Sequence, residues 1–225
     1  MVGVPVEIAT ADPRVVRPVD LRARYANPAK ELRRLARRGA LLRLGHGYYA
    51  VIPEEYRGTA WRPSAESAGL AIGQADYGTD HVAVMGVSAA RLLGAVPRAL
   101  GVAVIAVSVQ RPPLETTAGC IRFVTRRVRD LDVCRVDTDL AAGWATTPEQ
   151  TVLDLADRPA LGHLSPREIA QCIRRLAADV DWEALAALAR AQRKRPAAVR
   201  AAAAAGIEAP VKVSRPVPMR GLTGD

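Results

Sequence analysis

Aromatic residues and cysteines are scarce in this sequence. Only 4% of its 225 residues are aromatic, among them a single Phe. The three cysteines, Cys120, Cys134 and Cys172, are odd in number and share no metal-ligand spacing. This argues against a disulfide framework and against a cysteine-based metal site, and it indicates reduced residues of a cytoplasmic protein.

Long apolar runs are also missing. No stretch of about 18 residues is free of charge, so the sequence predicts no membrane span and no membrane partner. The first ten residues lack the charged segment and apolar run that are typical of a signal peptide. We therefore expect a soluble protein of the cytoplasm.

The residue patterns of common enzymes are absent. The three histidines, His46, His81 and His163, are far apart, and neither a phosphate-binding loop nor a nucleophile elbow occurs. A metal-dependent nuclease would need an E-x-K-like pair beside its acidic residues, and none is present. We therefore interpret the acidic cluster as an exposed strand face, and we predict no catalytic residue, cofactor or metal site. That cluster consists of Asp130, Asp132, Asp137 and Asp139.

Positive charge is abundant and unevenly distributed. The net charge is +9, and only three of the 32 basic residues are lysines, a bias that a GC-rich genome would also produce. Residues 14–43, however, contain nine Arg and one Lys against two acidic residues, which accounts for nearly the whole net positive charge. Such clustering indicates a polyanionic partner. A second basic cluster comprises Arg190, Arg193, Lys194, Arg195 and Arg200. Contact with DNA, contact with an acidic protein and a solvated helix end all remain open for it, and we favour the last because no aromatic residues are interleaved with the cations.

The N-terminal pattern predicts a winged helix. Asn27 is a helix N-cap, Pro28 suits the first helical position, and Gly39 suits the C-terminal end. Gly45-His46-Gly47 is typical of a tight hairpin. The predicted elements, in order, are a strand at Arg14–Arg17, a helix at Pro18–Tyr25, a helix at Pro28–Arg38 and strands at Leu41–Leu44 and Tyr48–Ile52. A further helix at the start of the module is weakly represented, since residues 3–10 are short and suit a strand nearly as well.

The helix at Pro28–Arg38 has two faces. Ala29, Leu32, Leu35 and Ala36 fall at helical spacing and are expected to pack inward. The cations on the rest of the helix favour a DNA groove, where phosphates neutralise them and counterions are released. The predicted DNA-binding residues are Lys30, Arg33, Arg34, Arg37 and Arg38 of the helix, with Arg43 and His46 of the hairpin.

The pattern of residues 64–206 predicts a mixed α/β domain that ends in helices. Together with the N-terminal winged helix, this makes the predicted fold class α+β. Strands are expected near residues 81–85, 102–110, 121–127 and 132–136, and helices near 64–75, 88–93, 147–156, 165–176, 181–193 and 197–205. Thr147 to Gln150 has a capping-box pattern, and Asp154 on the helix that follows is expected to pair with Arg158. The predicted domains are 1–54 (winged helix), 55–63 (linker), 64–206 (C-terminal domain) and 207–225 (loosely ordered tail).

Three segments resemble AbiEi-type antitoxins, the DNA-binding partners in AbiE toxin–antitoxin systems. They are Leu32–Val51 (LRRLARRGALLRLGHGYYAV), Ser88–Gly94 (SAARLLG) and Thr146–Leu155 (TTPEQTVLDL), and the resemblance covers roughly residues 15 to 180. It implies a repressor that binds inverted repeats in double-stranded DNA at its own promoter, as a monomer that pairs on DNA. It also implies that the C-terminal domain counters a cognate toxin with a nucleotidyltransferase-like fold.

Other functions remain open from the sequence. The main alternative is a stand-alone winged-helix regulator whose C-terminal domain senses a ligand or dimerises, and the neighbouring gene would distinguish it from an antitoxin. A nuclease tethered to DNA is a third reading, which a metal-dependent cleavage assay would test. Binding to a membrane surface is disfavoured, because Leu32 and Leu35 are the only large apolar anchors on the basic helix.

Overall fold

The computed structural model describes residues 4–207, and the predicted tail lies outside them except for Ile207. Residues 4–52 form a small module around a three-stranded antiparallel sheet with strand order β1-β3-β2. Its elements are α1 (Val6–Ala9), β1 (Val15–Val16), α2 (Pro28–Arg37), β2 (Leu41–Gly45) and β3 (Tyr48–Val51).

Helix α2 begins and ends at residues that suit those positions. The Asn27 side chain accepts a hydrogen bond from the Lys30 backbone at 3.0 Å, which satisfies one of the amides left free at a helix start. Gly39, just beyond the helix, has a φ of +70°, a left-handed conformation that glycine adopts without strain. Both signals were predicted from the sequence. The helix expected at Pro18–Tyr25 is shorter, a 3₁₀ turn at Pro18–Leu21.

The rest of the described chain is built on a six-stranded mixed sheet with strand order β6-β7-β5-β4-β9-β8. Its strands are β4 (Val82–Val84), β5 (Val102–Val107), β6 (Leu114–Thr116), β7 (Gly119–Thr125), β8 (Val133–Asp137) and β9 (Ala142–Thr146). Its helices are α3 (Ala65–Tyr77), α4 (Gly86–Leu92), α5 (Pro148–Asp157), α6 (Pro166–Leu176), α7 (Trp182–Ala191) and α8 (Arg195–Ala205). The molecule is therefore α+β, as predicted. None of the helices found between residues 4 and 207 is long and apolar enough to span a bilayer.

The large sheet is covered on both faces. Along β5, Ala103 and Ile105 belong to the core that contains α3, whereas Val104 and Ala106 belong to the core that contains α4 and α5–α8. This explains why the sequence of β5 is apolar throughout. Helix α3 lies close to the sheet, since a Cβ at Gly69 would be 2.9 Å from a side-chain carbon of Ile105.

The small module packs on the α3 side of the large sheet. Val15, Leu44 and Ala50 are buried in the same core as α3 and β5. The backbone N–H of Thr117, in the turn between β6 and β7, donates to the Leu44 carbonyl at 2.7 Å. The edge of β2 is therefore held by the larger region, which fixes where the β2–β3 hairpin lies.

Three local expectations on α5 and the basic cluster near it need correction. Asp154 does not pair with Arg158. It is buried, and its Oδ1 lies 3.2 Å from Lys194 Nζ and 3.6 Å from Arg126 Nη1. Lys194 is consequently not part of a solvated helix end, although Arg190 is exposed as expected. The capping pattern forms only in part: Thr147 accepts from the Gln150 backbone, while the Gln150 side chain contacts Asp154 instead of returning to Thr147.

Candidate nucleic-acid interface

Helix α2 is anchored by one face and exposes the other. Leu32 and Leu35 are fully buried, which orients the helix on the module core. Lys30, Arg33 and Arg37 are exposed and lie at i, i+3 and i+7, so they share one side of the helix. The division of faces predicted for α2 is present in the structure.

These three cations line a groove of about 830 Å³ between α2 and the β2–β3 hairpin. Buried Leu41 and Tyr49 form its floor. We call this surface the basic groove and define it by its cationic lining residues. They are Lys30, Arg33 and Arg37 of α2, Arg43 of β2, and Arg62 of the segment between β3 and α3.

No carboxylate of the described part of the chain neutralises the basic groove. Among residues 4–207, none of its five cations has a carboxylate oxygen within 4.0 Å, and no acidic residue lines it. The Arg33 Nε donates to the Ala29 carbonyl at 3.1 Å, and the Arg43 Nε lies 3.4 Å from the Gly45 carbonyl. Both contacts use the Nε of the guanidinium and a neutral carbonyl, so neither brings a negative charge to it.

Three of the predicted DNA-binding residues do not line the basic groove. Arg34 forms an ion pair with Glu31, with 2.9 Å between Arg34 Nε and Glu31 Oε2. This hydrogen bond raises the pKa of Arg34 and lowers the pKa of Glu31. Arg38 and His46 are exposed at the end of α2 and in the hairpin turn. The structure thus brings Lys30, Arg33, Arg37 and Arg43 together and leaves these three apart.

A polar cluster fixes the hairpin from the other side. Tyr48, the first residue of β3, donates from its hydroxyl to Asp76 at 2.7 Å. Asp76 also pairs with Arg17 and with Arg111, and the Arg111 guanidinium lies 4.4 Å from the centre of the Phe123 ring. Because Asp76 belongs to α3, this cluster ties the residue after β1 and the first residue of β3 to the larger region.

Sequence reasoning missed Arg62 and the Thr117 turn. Arg62 lies in residues 53–63, a stretch with two prolines, a glycine and no periodicity, and the sequence predicts a linker for 55–63. Thr117 is 74 residues from Arg43, yet its hydroxyl donates to the Arg43 carbonyl at 3.1 Å. In the structure the rings of Tyr56 and Trp61 stack in the stretch before α3. No sequence pattern indicates which side of the chain Arg62 faces.

The acidic residues near β8 lie on an exposed strand face and its flanks. The four acidic residues of the cluster near β8 are all exposed. Within residues 4–207 no group of three or more His, Cys, Asp or Glu side chains is arranged to hold a metal ion.

Comparison with protein families gives a match over the small module. A search of curated proteins finds no match to this chain. The family match begins in α1 and ends just after β3, about a fifth of the chain, and it includes four of the five cations of the basic groove. It confirms, for this segment, the resemblance inferred from the sequence. Residues 6–52 match the family described as "Transcriptional regulator, AbiEi antitoxin".

Proposed function

We propose that this protein is a DNA-binding transcriptional regulator that uses residues 1–54 as a winged helix-turn-helix. The observation that carries the proposal is the basic groove, which has five exposed cations and, among residues 4–207, no carboxylate. It is built mainly on the segment that matches the antitoxin regulator family. In this arrangement α2 enters the major groove and the β2–β3 hairpin lies along the DNA backbone. The remaining predicted contacts, Arg34, Arg38 and His46, belong to the outer part of the same interface.

The charge distribution suits a polyphosphate better than a protein partner. An exposed helix face bearing Lys30, Arg33 and Arg37 repels itself until phosphates neutralise it and release counterions. An α-helix fits the width of the major groove, and Arg binds guanine through two parallel hydrogen bonds. If all five cations contact phosphates, the logarithm of affinity should fall against the logarithm of salt concentration with a slope of roughly −4.5.

The regulated site is the protein's own promoter, where two copies pair on an inverted repeat. The first experiment is a mobility shift of the purified full chain on the few hundred base pairs upstream of its gene, with unrelated DNA as competitor. A discrete shifted band that survives the competitor supports the proposal. Smearing that the competitor abolishes would reduce the basic groove to a non-specific anchor and would overturn sequence-specific regulation.

The second part of the proposal is that the chain is an antitoxin toward a cognate nucleotidyltransferase-like toxin. It is supported by the description of the family that residues 6–52 match and by the size of the region that follows, whose sheet and helices have a core of their own. The test is co-expression with the neighbouring gene. The Arg33→Ala, Arg37→Ala variant should still restore growth, since neutralisation would not need DNA binding. Promoter binding without any rescue of growth would instead identify a stand-alone regulator.

A further inference from the structure

The segment between β3 and α3 is held in place beside the basic groove. Trp61 is half-buried against the core that contains Leu44 and Ala50, and its ring stacks on Tyr56 with the centres 5.5 Å apart. Pro63, on the other side of Arg62, is buried. The Arg62 backbone is therefore anchored on both sides while its side chain stays exposed and lines the basic groove.

The opposite wall of the basic groove is also fixed from outside the family-matched segment. The Thr117 backbone and hydroxyl donate to the carbonyls of Leu44 and Arg43. The chain around Gly45 lies so close that a Cβ there would be 3.2 Å from the Glu115 carbonyl oxygen. The turn between β6 and β7 therefore sets the position of β2 and of Arg43. Arg43 and Arg62 thus line the basic groove from backbone segments that are held by contacts with the rest of the protein.

We propose that Arg62 contacts a DNA phosphate, so that the duplex is bound by a surface built jointly from residues 6–52 and the chain that follows. This inference rests on the proposed function and deepens it. Arg62 has no carboxylate within 4.0 Å among residues 4–207, and its Nη1 donates only to the neighbouring Trp61 carbonyl, at 3.0 Å. A guanidinium in this state has donors left for a phosphate, and a phosphate contact positions the protein without reading sequence.

The test compares Arg62→Ala with a matched control. Arg57→Ala removes the same charge from the same segment, but Arg57 lies near Glu54 and does not line the basic groove. Binding of the full-length protein is measured by fluorescence anisotropy on the operator duplex and on a scrambled duplex, from 50 to 200 mM salt, a range in which phosphate contacts weaken markedly. Circular dichroism of each variant checks that the fold is retained.

Arg62→Ala should weaken binding to both duplexes by about the same factor, roughly tenfold, because a charge-assisted hydrogen bond is lost. The salt slope should become shallower by about 0.9, the amount expected for one phosphate. Arg62→Lys should keep most of the slope, since lysine also binds phosphate as a point charge. Arg57→Ala should leave both affinity and slope close to those of the natural protein.

Other outcomes overturn the inference in distinguishable ways. If Arg62→Ala leaves the slope unchanged while Arg33→Ala, Arg37→Ala abolishes binding, the interface ends within residues 6–52 and the proposed function stands. Equal losses for Arg62→Ala and Arg57→Ala would mean that net charge alone matters and not the place of Arg62. A natural protein that binds neither duplex would overturn the proposed function and this inference together.

Discussion

Arg33 and Arg37 of α2 and Lys194 of the loop between α7 and α8 have different surroundings. Arg33 and Arg37 are exposed and face no carboxylate among the described residues. Lys194 instead contacts Asp154 and Asp157, at 3.2 and 2.9 Å. Both stretches are basic clusters in the sequence. The difference teaches that membership of a basic cluster does not decide whether a cation is available to a partner, because the fold brings acidic residues to some members and not to others.

Burial explains why Lys194 has a structural role. Asp154 is 4% exposed, and this burial raises the pKa of its carboxyl, although Lys194 and Arg126 act in the opposite direction. A charge in such a place is tolerated when partners surround it. The groove cations pay no such desolvation cost, because they remain in water until a ligand replaces it.

Asp154→Ala tests this comparison and should cause the largest change, a loss in the free energy of unfolding. It leaves Lys194 and Arg126 without their shared carboxylate, and removal of one partner from a buried ion pair costs about 3 kcal/mol or more in the free energy of unfolding. Urea denaturation measures this cost. Asp154→Asn keeps the shape and an acceptor oxygen and should cost clearly less. If both variants are as stable as the natural protein, the ion pairs of Asp154 with Lys194 and Arg126 are not structural and the contrast with α2 disappears.

Arg33→Ala combined with Arg37→Ala should lower affinity for the operator about 100-fold, roughly 2.7 kcal/mol of binding free energy, because two charge-assisted contacts are lost. The free energy of unfolding should change by less than about 0.5 kcal/mol, since both side chains are exposed. Anisotropy titration and urea denaturation of the same preparation measure the two quantities. Unchanged operator affinity would remove α2 from the interface.

Asn27→Ala tests whether the placement of α2 matters. The change removes the side-chain cap on the Lys30 amide and should lower the free energy of unfolding by about 1 kcal/mol. Helix fraying near Lys30 should also weaken DNA binding modestly. Asn27→Ser, which keeps a capping oxygen, is the control. Loss of stability in both variants alike would mean that the hydrogen bond is not what holds the start of the helix.

Arg34→Ala combined with Arg38→Ala should have the smallest effect. It removes the same charge from the same helix as the Arg33, Arg37 variant, but neither residue lines the basic groove and Arg34 is already paired with Glu31. Operator affinity should fall only about threefold, because contacts at the outer part of the interface stay in water and are largely screened by 0.15 M salt. A loss equal to that of the Arg33, Arg37 variant would show that charge and not position decides binding.

Local signals in the sequence predicted much of the fold. Asn27-Pro28 and Gly39 mark the ends of α2 because capping depends on residues within one turn. The apolar run of β5 predicts a strand buried on both faces. Strands β6 and β9 were missed: Leu114–Thr116 is only three residues long, and Ala142–Thr146 contains few β-branched residues. Pairing with neighbouring strands makes them strands, and that is a tertiary effect.

The candidate site was predictable only as far as it is local. Helical spacing places Lys30, Arg33 and Arg37 on one side of α2, and turn residues indicate the hairpin that carries Arg43. Helical spacing does not tell which of the five predicted cations of the helix line the basic groove, because this depends on where β2 and residues 53–63 lie against the helix. Contacts between residues far apart in the chain, such as Thr117 with Arg43 and Lys194 with Asp154, leave no short-range pattern.

Both edges of the small sheet are closed by the larger region, which has a practical consequence. The Thr117 N–H donates to the β2 edge at Leu44, and the Arg14 N–H, beside β1, donates to the Leu140 carbonyl at 2.7 Å. A fragment cut after residue 54 would expose these edges together with the apolar side chains of Val15, Leu44 and Ala50. Open strand edges beside an apolar face promote aggregation. The segment that matches the family is thus expected to be insoluble by itself, and its affinity for DNA is properly measured in the intact chain.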